Sequence, residues 1–286
     1  MRLIAFSRPD GKPALGARIG QEVVDLTALG LPATLDEVLL RGEAGLRAAR
    51  DAISQATSRL ALDSITYLPP VANPSKAIAV GLNYVAHAAE SPYKEPPKFP
   101  VLFQRFASSW VAHKAPILVP RVSEQLDYEA ELLIVIGKPG RYIDKAKALE
   151  HVAGYSLFND GSVRDYQMRT PQWMIGKNFD RSGAFGPEFV TADELPPGAS
   201  GLQIQARLNG KVMQNANTRD MIFDVATLVQ MCSEAFAFRP GDIIISGTPA
   251  GVGFARKPPI FMKPGDTIEV EIEGIGVLSN PIVAEG

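Results

Sequence analysis

The residues best suited to chemistry lie in LDYEAELLIVIGK, residues 126–138. Asp127, Glu129 and Glu131 are spaced by two there. Strand side chains alternate faces, so one continuous strand would put all three carboxylates on one face. Like charges held that close repel unless a cation stands between them. A hard divalent metal with oxygen ligands is the chemistry such a set offers. The alternative is a solvated strand end, the expected state of Glu269, Glu271 and Glu273 in TIEVEIE. Asp160, in YSLFNDGSVRDYQ, ends an apolar run beside an Asn-Asp-Gly turn, where it can supply a third ligand or simply cap the turn. Mg²⁺ takes a few carboxylates and keeps its other positions for water and substrate. With no CxxC, no HExxH and three histidines, a structural zinc site is not expected.

Histidine is the scarce general base. His87 in GLNYVAHAAE precedes Glu90 by three positions. On a helical turn the two face the same way, so Glu90 can orient and charge-stabilise the imidazole. An ordinary surface pair is the alternative. His113 and His151 lack such a neighbour and are read as structural. Lys177, in GKNFD, can meet an anionic substrate. SGTPAGVG, residues 246–253, follows the strand-like DIIIS. It lacks the Gly-Lys-Ser/Thr of a phosphate loop, yet its backbone N–H groups can hold a carboxylate; a tight turn is the alternative.

The elements that must position these residues are legible in outline. The 286 residues, 46% hydrophobic, can bury a sizeable core. A formal net charge of −2 and scattered basic residues give no pull toward nucleic acid or an anionic membrane. No segment reaches the roughly 18 apolar residues of a membrane span. The single cysteine, Cys232, rules out an internal disulfide framework and reads as a buried small hydrophobe. Without a signal-peptide pattern at the start, a reducing, cytoplasmic setting is expected. Residues 1–72 read as a small leading α/β unit: strands around the PDGK turn, then a helix capped by Thr34, with Gly42 and Gly45 as breakers. The proline-rich LPPVANPSK follows as a linker. Residues 73–286 are strand-rich, with AIAVGLNY, ELLIVIG, AGYSLFND, LQIQARLNG, DIIISGT and TIEVEIEGIGVL β-like. DKAKALEHV and MIFDVATLVQMCSEA read as helices. The class is α+β, rich in strands, without regular βαβ alternation.

Eight stretches, in order, resemble the fumarylacetoacetate hydrolase family over about residues 75–283: GLNYVAHAAE, DYEAELLIVIGK, GYSLFNDGSVRDYQ, GKNFD, GPEFVTADE, LNGKVMQNANTRDMIF, PGDIIISGTPAGVG and KPGDTIEVEIEGIG. The resemblance implies that family's mixed β-sandwich roll, usually a homodimer. It implies Mg²⁺, with Mn²⁺ or Ca²⁺ as alternatives, held by Glu129, Glu131 and Asp160, and makes Asp127 a support of the strand rather than a ligand. His87 and Glu90 match the general-base dyad, on a segment that often orders over substrate. Lys177 matches the lysine near the metal. Tyr84, Arg164, Gln167 and Thr248 match substrate-contacting positions. The implied reaction is hydrolysis of a C–C bond in a 2,4-dioxo acid, acylpyruvate-like or a diketo-deoxy sugar acid. Oxaloacetate decarboxylation and 2-oxo acid tautomerisation or hydration are the alternatives on the same metal–enolate site. A catalytically silent binding protein would not need all six of His87, Glu90, Glu129, Glu131, Asp160 and Lys177. Two departures from the family's pattern are noted: Arg105 stands where lysine is common, and Ile175 where acylpyruvate hydrolases often carry arginine. Both are expected to bear on substrate shape, as is segment 91–111, with the leading unit, on the acyl pocket.

Overall fold

The apolar run after Glu131 is buried on both faces, and the architecture follows from that. The computed structural model describes residues 1–286 except 92–94. In it the run forms the strand Ala130–Ile136, every residue buried. Leu132, Ile134 and Ile136 point into one apolar cluster, Leu133 and Val135 into another. Alternation thus splits a continuous apolar sequence between two cores.

Among the described residues this strand lies inside a twelve-stranded sheet. Antiparallel to it run Val152–Asn159 on one side and Ile243–Ile245 on the other. Ala77–Gly81 and then the edge strand Val101–Gln104 continue beyond Ile243–Ile245. On the opposite flank Gly183–Thr191 pairs with Val152–Asn159, and Arg2–Ser7 pairs with Gly183–Thr191. Pro13–Ile19, Glu22–Asp25 and Leu60–Ala61 complete that side, so the strands of the leading segment extend the same sheet. A second sheet orders Lys211–Asn217, Gln203–Leu208, Thr267–Ile272, Gly276–Ala284 and Ile117–Val119. Its Ile204, Ala206, Val270, Ile272 and Leu278 meet Leu132 and Ile134 in the larger core. On the other face Leu35, Val38, Leu39 and Leu46 of the leading helices cover Leu133 and Val135.

Local sequence explains several boundaries. Thr34 accepts the N–H of Glu37 and starts the helix Leu35–Leu40. The expected long helix breaks at Arg41 and resumes as Gly42–Gln55, with Gly42 at φ 57°. Asp224 caps Val225–Ala235. DKAKALEHV folds as the 3₁₀ segment Lys145–His151 instead of an α-helix. No helix among the described residues is long and apolar enough to cross a membrane.

Candidate active site

Glu131 is the second residue of Ala130–Ile136, and Glu129 immediately precedes it. Asp160 follows Val152–Asn159, whose register pairs Ala130 with Asn159. That pairing brings Asp160 alongside: its N–H donates to the Glu129 carbonyl at 2.9 Å. Asn159 Oδ1 in turn accepts the Glu129 N–H at 3.0 Å. One carboxylate oxygen from each of Glu129, Glu131 and Asp160 lies within 4.8 Å of the others, and all three residues are buried.

Asp127 is not among them. A single strand through Asp127 would have placed it on the same face. The chain instead breaks at Tyr128 and Glu129, and Leu126–Asp127 pairs separately with Ser162–Val163. The Asp127 carboxylate accepts the N–H groups of Gly253 and Phe254 at 2.8 and 2.9 Å, and Arg164 Nε at 2.9 Å.

Three buried cations surround the triad. Lys177 Nζ donates to Glu129 Oε2 at 2.5 Å and to Asp160 Oδ2 at 2.6 Å. Arg164 donates to Glu129 Oε1 at 2.7 Å, and Arg105 to Asp160 Oδ1 at 2.5 Å. Asp127, Glu129, Glu131 and Asp160 therefore set four negative charges against three positive ones. Burial opposes the charge of Glu129, but Lys177 and Arg164 hold its carboxyl well below the usual range. Glu131 carries the surplus. Burial, then the charges of Asp160 and Glu129, push its carboxyl well above the usual range. Three hard oxygen donors with one unneutralised carboxylate fit a divalent cation, which would return Glu131 to its charged form.

The helix Val85–Glu90 brings His87, the expected base, to the same cavity. Glu90 Oε1 is 2.9 Å from His87 Nδ1. A carboxylate only accepts, so Nδ1 carries a proton, and in the neutral ring Nε2 is then the nitrogen with the lone pair. Gly251 N–H fixes Glu90 from the far side, at 3.1 and 3.0 Å from its two oxygens. The loop 246–253 does hold carboxylates, and they are the protein's own: Gly247 N–H donates to Glu131 Oε2 at 2.5 Å, as Gly251 does to Glu90 and Gly253 to Asp127.

His87, Glu90, Glu129, Glu131, Arg164, Gln167, Lys177 and Thr248 all line one cavity. Apolar walls complete it: Leu82, Phe103, Met168, Trp173, Val252 and Phe254. Trp173 lies so close to Gly81 that a Cβ there would sit 2.2 Å from its ring. Gln167 Oε1 accepts from Arg164 at 2.8 Å. The Thr248 hydroxyl donates to the Ala130 carbonyl at 2.9 Å, so that proton is committed to the fold.

Tyr84 is not brought to the cavity wall. It precedes the helix Val85–Glu90, is 2% exposed and packs in the large core. Neither departure from the family's pattern lines the cavity. Ile175 is 54% exposed, while Arg105 is buried against Asp160. Segment 91–111 contributes Ser91 and Phe103 to the wall; its residues 92–94 lie outside the described ones. Gln214 went unnoticed in the sequence. It accepts the Ala130 N–H at 2.9 Å and donates to Thr248 Oγ1 at 2.8 Å, tying the smaller sheet to the site. Its stretch was among those that resemble the family, but KVMQNAN reads like any surface strand, so nothing local singled out this residue.

The chain was compared with known proteins. Residues 76–283 match the family described as fumarylacetoacetate (FAA) hydrolase C-terminal. The mitochondrial oxaloacetate tautomerase of Homo sapiens is 41% identical over 290 aligned positions, covering 99% of this chain and 92% of that protein. The solved fumarylacetoacetate hydrolase of Exiguobacterium antarcticum superposes with a TM-score of 0.86 at 37% identity, each chain fully covered. Maleylpyruvate hydrolase of Sphingobium, solved with manganese(II) and pyruvate, does so with a TM-score of 0.82 at 30% identity, again over both full chains. The three carboxylates on adjoining strands, the histidine–glutamate pair above them and these likenesses together place the chain in the fumarylacetoacetate hydrolase family of enzymes.

Proposed function

We propose that the protein interconverts the keto and enol forms of a 2-oxo acid with a second carbonyl at C4, oxaloacetate being the first candidate. The observation that carries this choice is the 41% identity, over 99% of the chain, to a protein named as an oxaloacetate tautomerase. The site by itself suits several enolate chemistries, and this likeness selects among them.

Glu129, Glu131 and Asp160 would hold the divalent cation, Mg²⁺ or Mn²⁺ in the first instance. When bound, it would supply Lewis acidity toward the substrate's developing negative charge. His87, kept in the Nδ1–H tautomer by Glu90, takes the C3 proton at Nε2. The electron pair of that C–H bond moves into C2–C3 as the 2-oxo oxygen takes on charge. Lys177 places its ammonium where this charge grows. Return of that proton from His87 Nε2 to the oxygen yields the enol, and the reverse sequence regenerates the keto acid. Gln167, its Oε1 held by Arg164, offers its amide nitrogen to a substrate oxygen. Thr248 serves through its backbone, its hydroxyl being engaged. Phe103 and Trp173 keep water from the apolar side of the cavity.

Hydrolysis of an acylpyruvate, the first expectation from the sequence, stands second. It is favoured by the likeness to maleylpyruvate hydrolase. In that reaction His87 would deprotonate a water instead of C3. A homodimer in a reducing compartment belongs to the same proposal, the former from family resemblance, the latter from the lone buried cysteine.

Product analysis by NMR on oxaloacetate and a set of acylpyruvates tests the choice. Conversion of the oxaloacetate enol without carbon–carbon cleavage is the expected result. Faster release of pyruvate from an acylpyruvate would move the assignment to hydrolysis, and CO₂ from oxaloacetate would move it to decarboxylation.

A further inference from the structure

Each triad carboxylate has one oxygen already taken by a buried donor. Glu129 Oε1 accepts from Arg164 and Glu131 Oε2 from the Gly247 N–H. Asp160 Oδ1 accepts from Arg105. The second oxygens are Glu129 Oε2, Glu131 Oε1 and Asp160 Oδ2. Lys177 Nζ donates to the first and third of these, at 2.5 and 2.6 Å, and as a single point charge on a flexible stem it can give way to a cation where a multiply bonded guanidinium cannot.

Arg105 is built to keep its oxygen closed. It is 2% exposed, and its guanidinium is spoken for on every side. Nε donates to Ser109 Oγ at 3.1 Å, one terminal nitrogen to the Ser109 carbonyl at 3.2 Å, and the other to Gly161 O at 3.1 Å as well as to Asp160. The group also lies over the Phe158 ring, 5.4 Å from its centroid. It cannot swing away to let Asp160 present both oxygens. A lysine at this position, a single flexible point charge, could not make these contacts together.

We propose that Arg105, with Arg164 and the Gly247 N–H, makes all three carboxylates one-oxygen ligands and so selects the metal. Three single-oxygen ligands leave half of an octahedral shell for substrate and water, which suits Mg²⁺ or Mn²⁺. Ca²⁺ takes six to eight oxygens and gains most from carboxylates that bind through both. Arg105 is on this view a positioning residue acting through Asp160. The inference rests on the metal reading of the triad given above.

The test is calorimetric titration of the chelator-stripped full chain with Mn²⁺ and with Ca²⁺, for wild type, Arg105→Gln, Arg105→Lys and the milder Ser109→Ala. Wild type is expected to bind Mn²⁺ at least about tenfold more tightly than Ca²⁺, and Arg105→Gln to lower that ratio about tenfold, the scale of changes to groups behind metal ligands. Arg105→Lys should fall between them, and Ser109→Ala should shift the ratio in the same direction by less. A merely structural arginine would weaken both metals equally, so an unchanged ratio in a folded Arg105 variant overturns the proposal. Should neither Arg105 variant fold, an unchanged ratio in Ser109→Ala does so. Wild type that binds Ca²⁺ as tightly as Mn²⁺ also overturns it while leaving the metal triad standing. Wild type that binds no divalent metal sinks the triad reading itself.

Discussion

His87 and Asp127 show how differently two polar residues at one site can act. His87→Ala removes the proposed base and leaves every triad oxygen in place. Turnover should fall roughly 10²–10⁴-fold, with the metal dissociation constant unchanged by calorimetry. Asp127 touches no triad carboxylate directly. It neutralises Arg164 and holds the Gly253 and Phe254 N–H groups. Asp127→Asn leaves the buried guanidinium short of one charge, and stability measured by urea unfolding should drop by about 3 kcal/mol. The residue types announced this site more clearly than their partners did. Glu129 and Glu131, spaced by two, and His87 with Glu90, spaced by three, stood out by spacing, but spacing left a solvated strand end and a surface pair open, and the family resemblance chose between them. Arg105 could not be placed that way. Its partner Asp160 is 55 residues away, and only the fold brings the two together.

At the scale of elements, the site depends on close backbone approach. A Cβ on Gly161 would sit 1.8 Å from the Ser182 carbonyl. Gly161→Ala must therefore push Asp160 off its position, whatever rotamers adjust nearby. A loss of about 3 kcal/mol in thermal unfolding is expected, together with weaker metal binding. Strands carrying the β-branched and apolar runs were legible in the sequence, as was the Thr34 cap. The strand Gly183–Thr191 was not, although all of it is buried. Its Gly186 and Pro187 argue against a central strand. The fold accommodates them at a register shift against Val152–Asn159, where the Ser156 hydroxyl donates to the Glu188 carbonyl at 2.7 Å. The break between Asp127 and Ala130 was hidden for a similar reason: nothing in DYEAE itself interrupts a strand, and the pairing of Leu126–Asp127 with Ser162–Val163 is what does so.

At the scale of the whole molecule, His113 joins the two sheets. It follows the strand Trp110–Ala112 of the large sheet, and its Nδ1 accepts the Ser279 N–H of the smaller one at 3.0 Å. That bond requires an unprotonated Nδ1. Burial, helped by Lys114 and Arg18, lowers the ring from an ordinary value of 6.5 to about 4. Between those values the unfolded ring holds a proton that the folded ring does not. Stability is therefore whole above pH 6.5 and falls as the pH drops toward 4, by about 2–3 kcal/mol from this group. Urea unfolding across that range should show the slope, and His113→Asn, which keeps an acceptor and cannot titrate, should flatten it. The β-rich α+β class was readable from composition and turns, whereas the joining of the leading strands to the central sheet rests on long-range pairing that no local pattern encodes.

On the proposed function, the buried carboxylates would hold a divalent cation beside a single base, His87, that moves a proton at C3 of a 2-oxo acid. The most direct test follows the ultraviolet absorbance of the oxaloacetate enol with purified protein, after chelator treatment and again after Mg²⁺ or Mn²⁺ is restored. Accelerated loss of the enol signal that vanishes with chelator, returns with metal and is absent in His87→Ala is the expected result. Full acceleration in chelator, or none with metal restored, would contradict it.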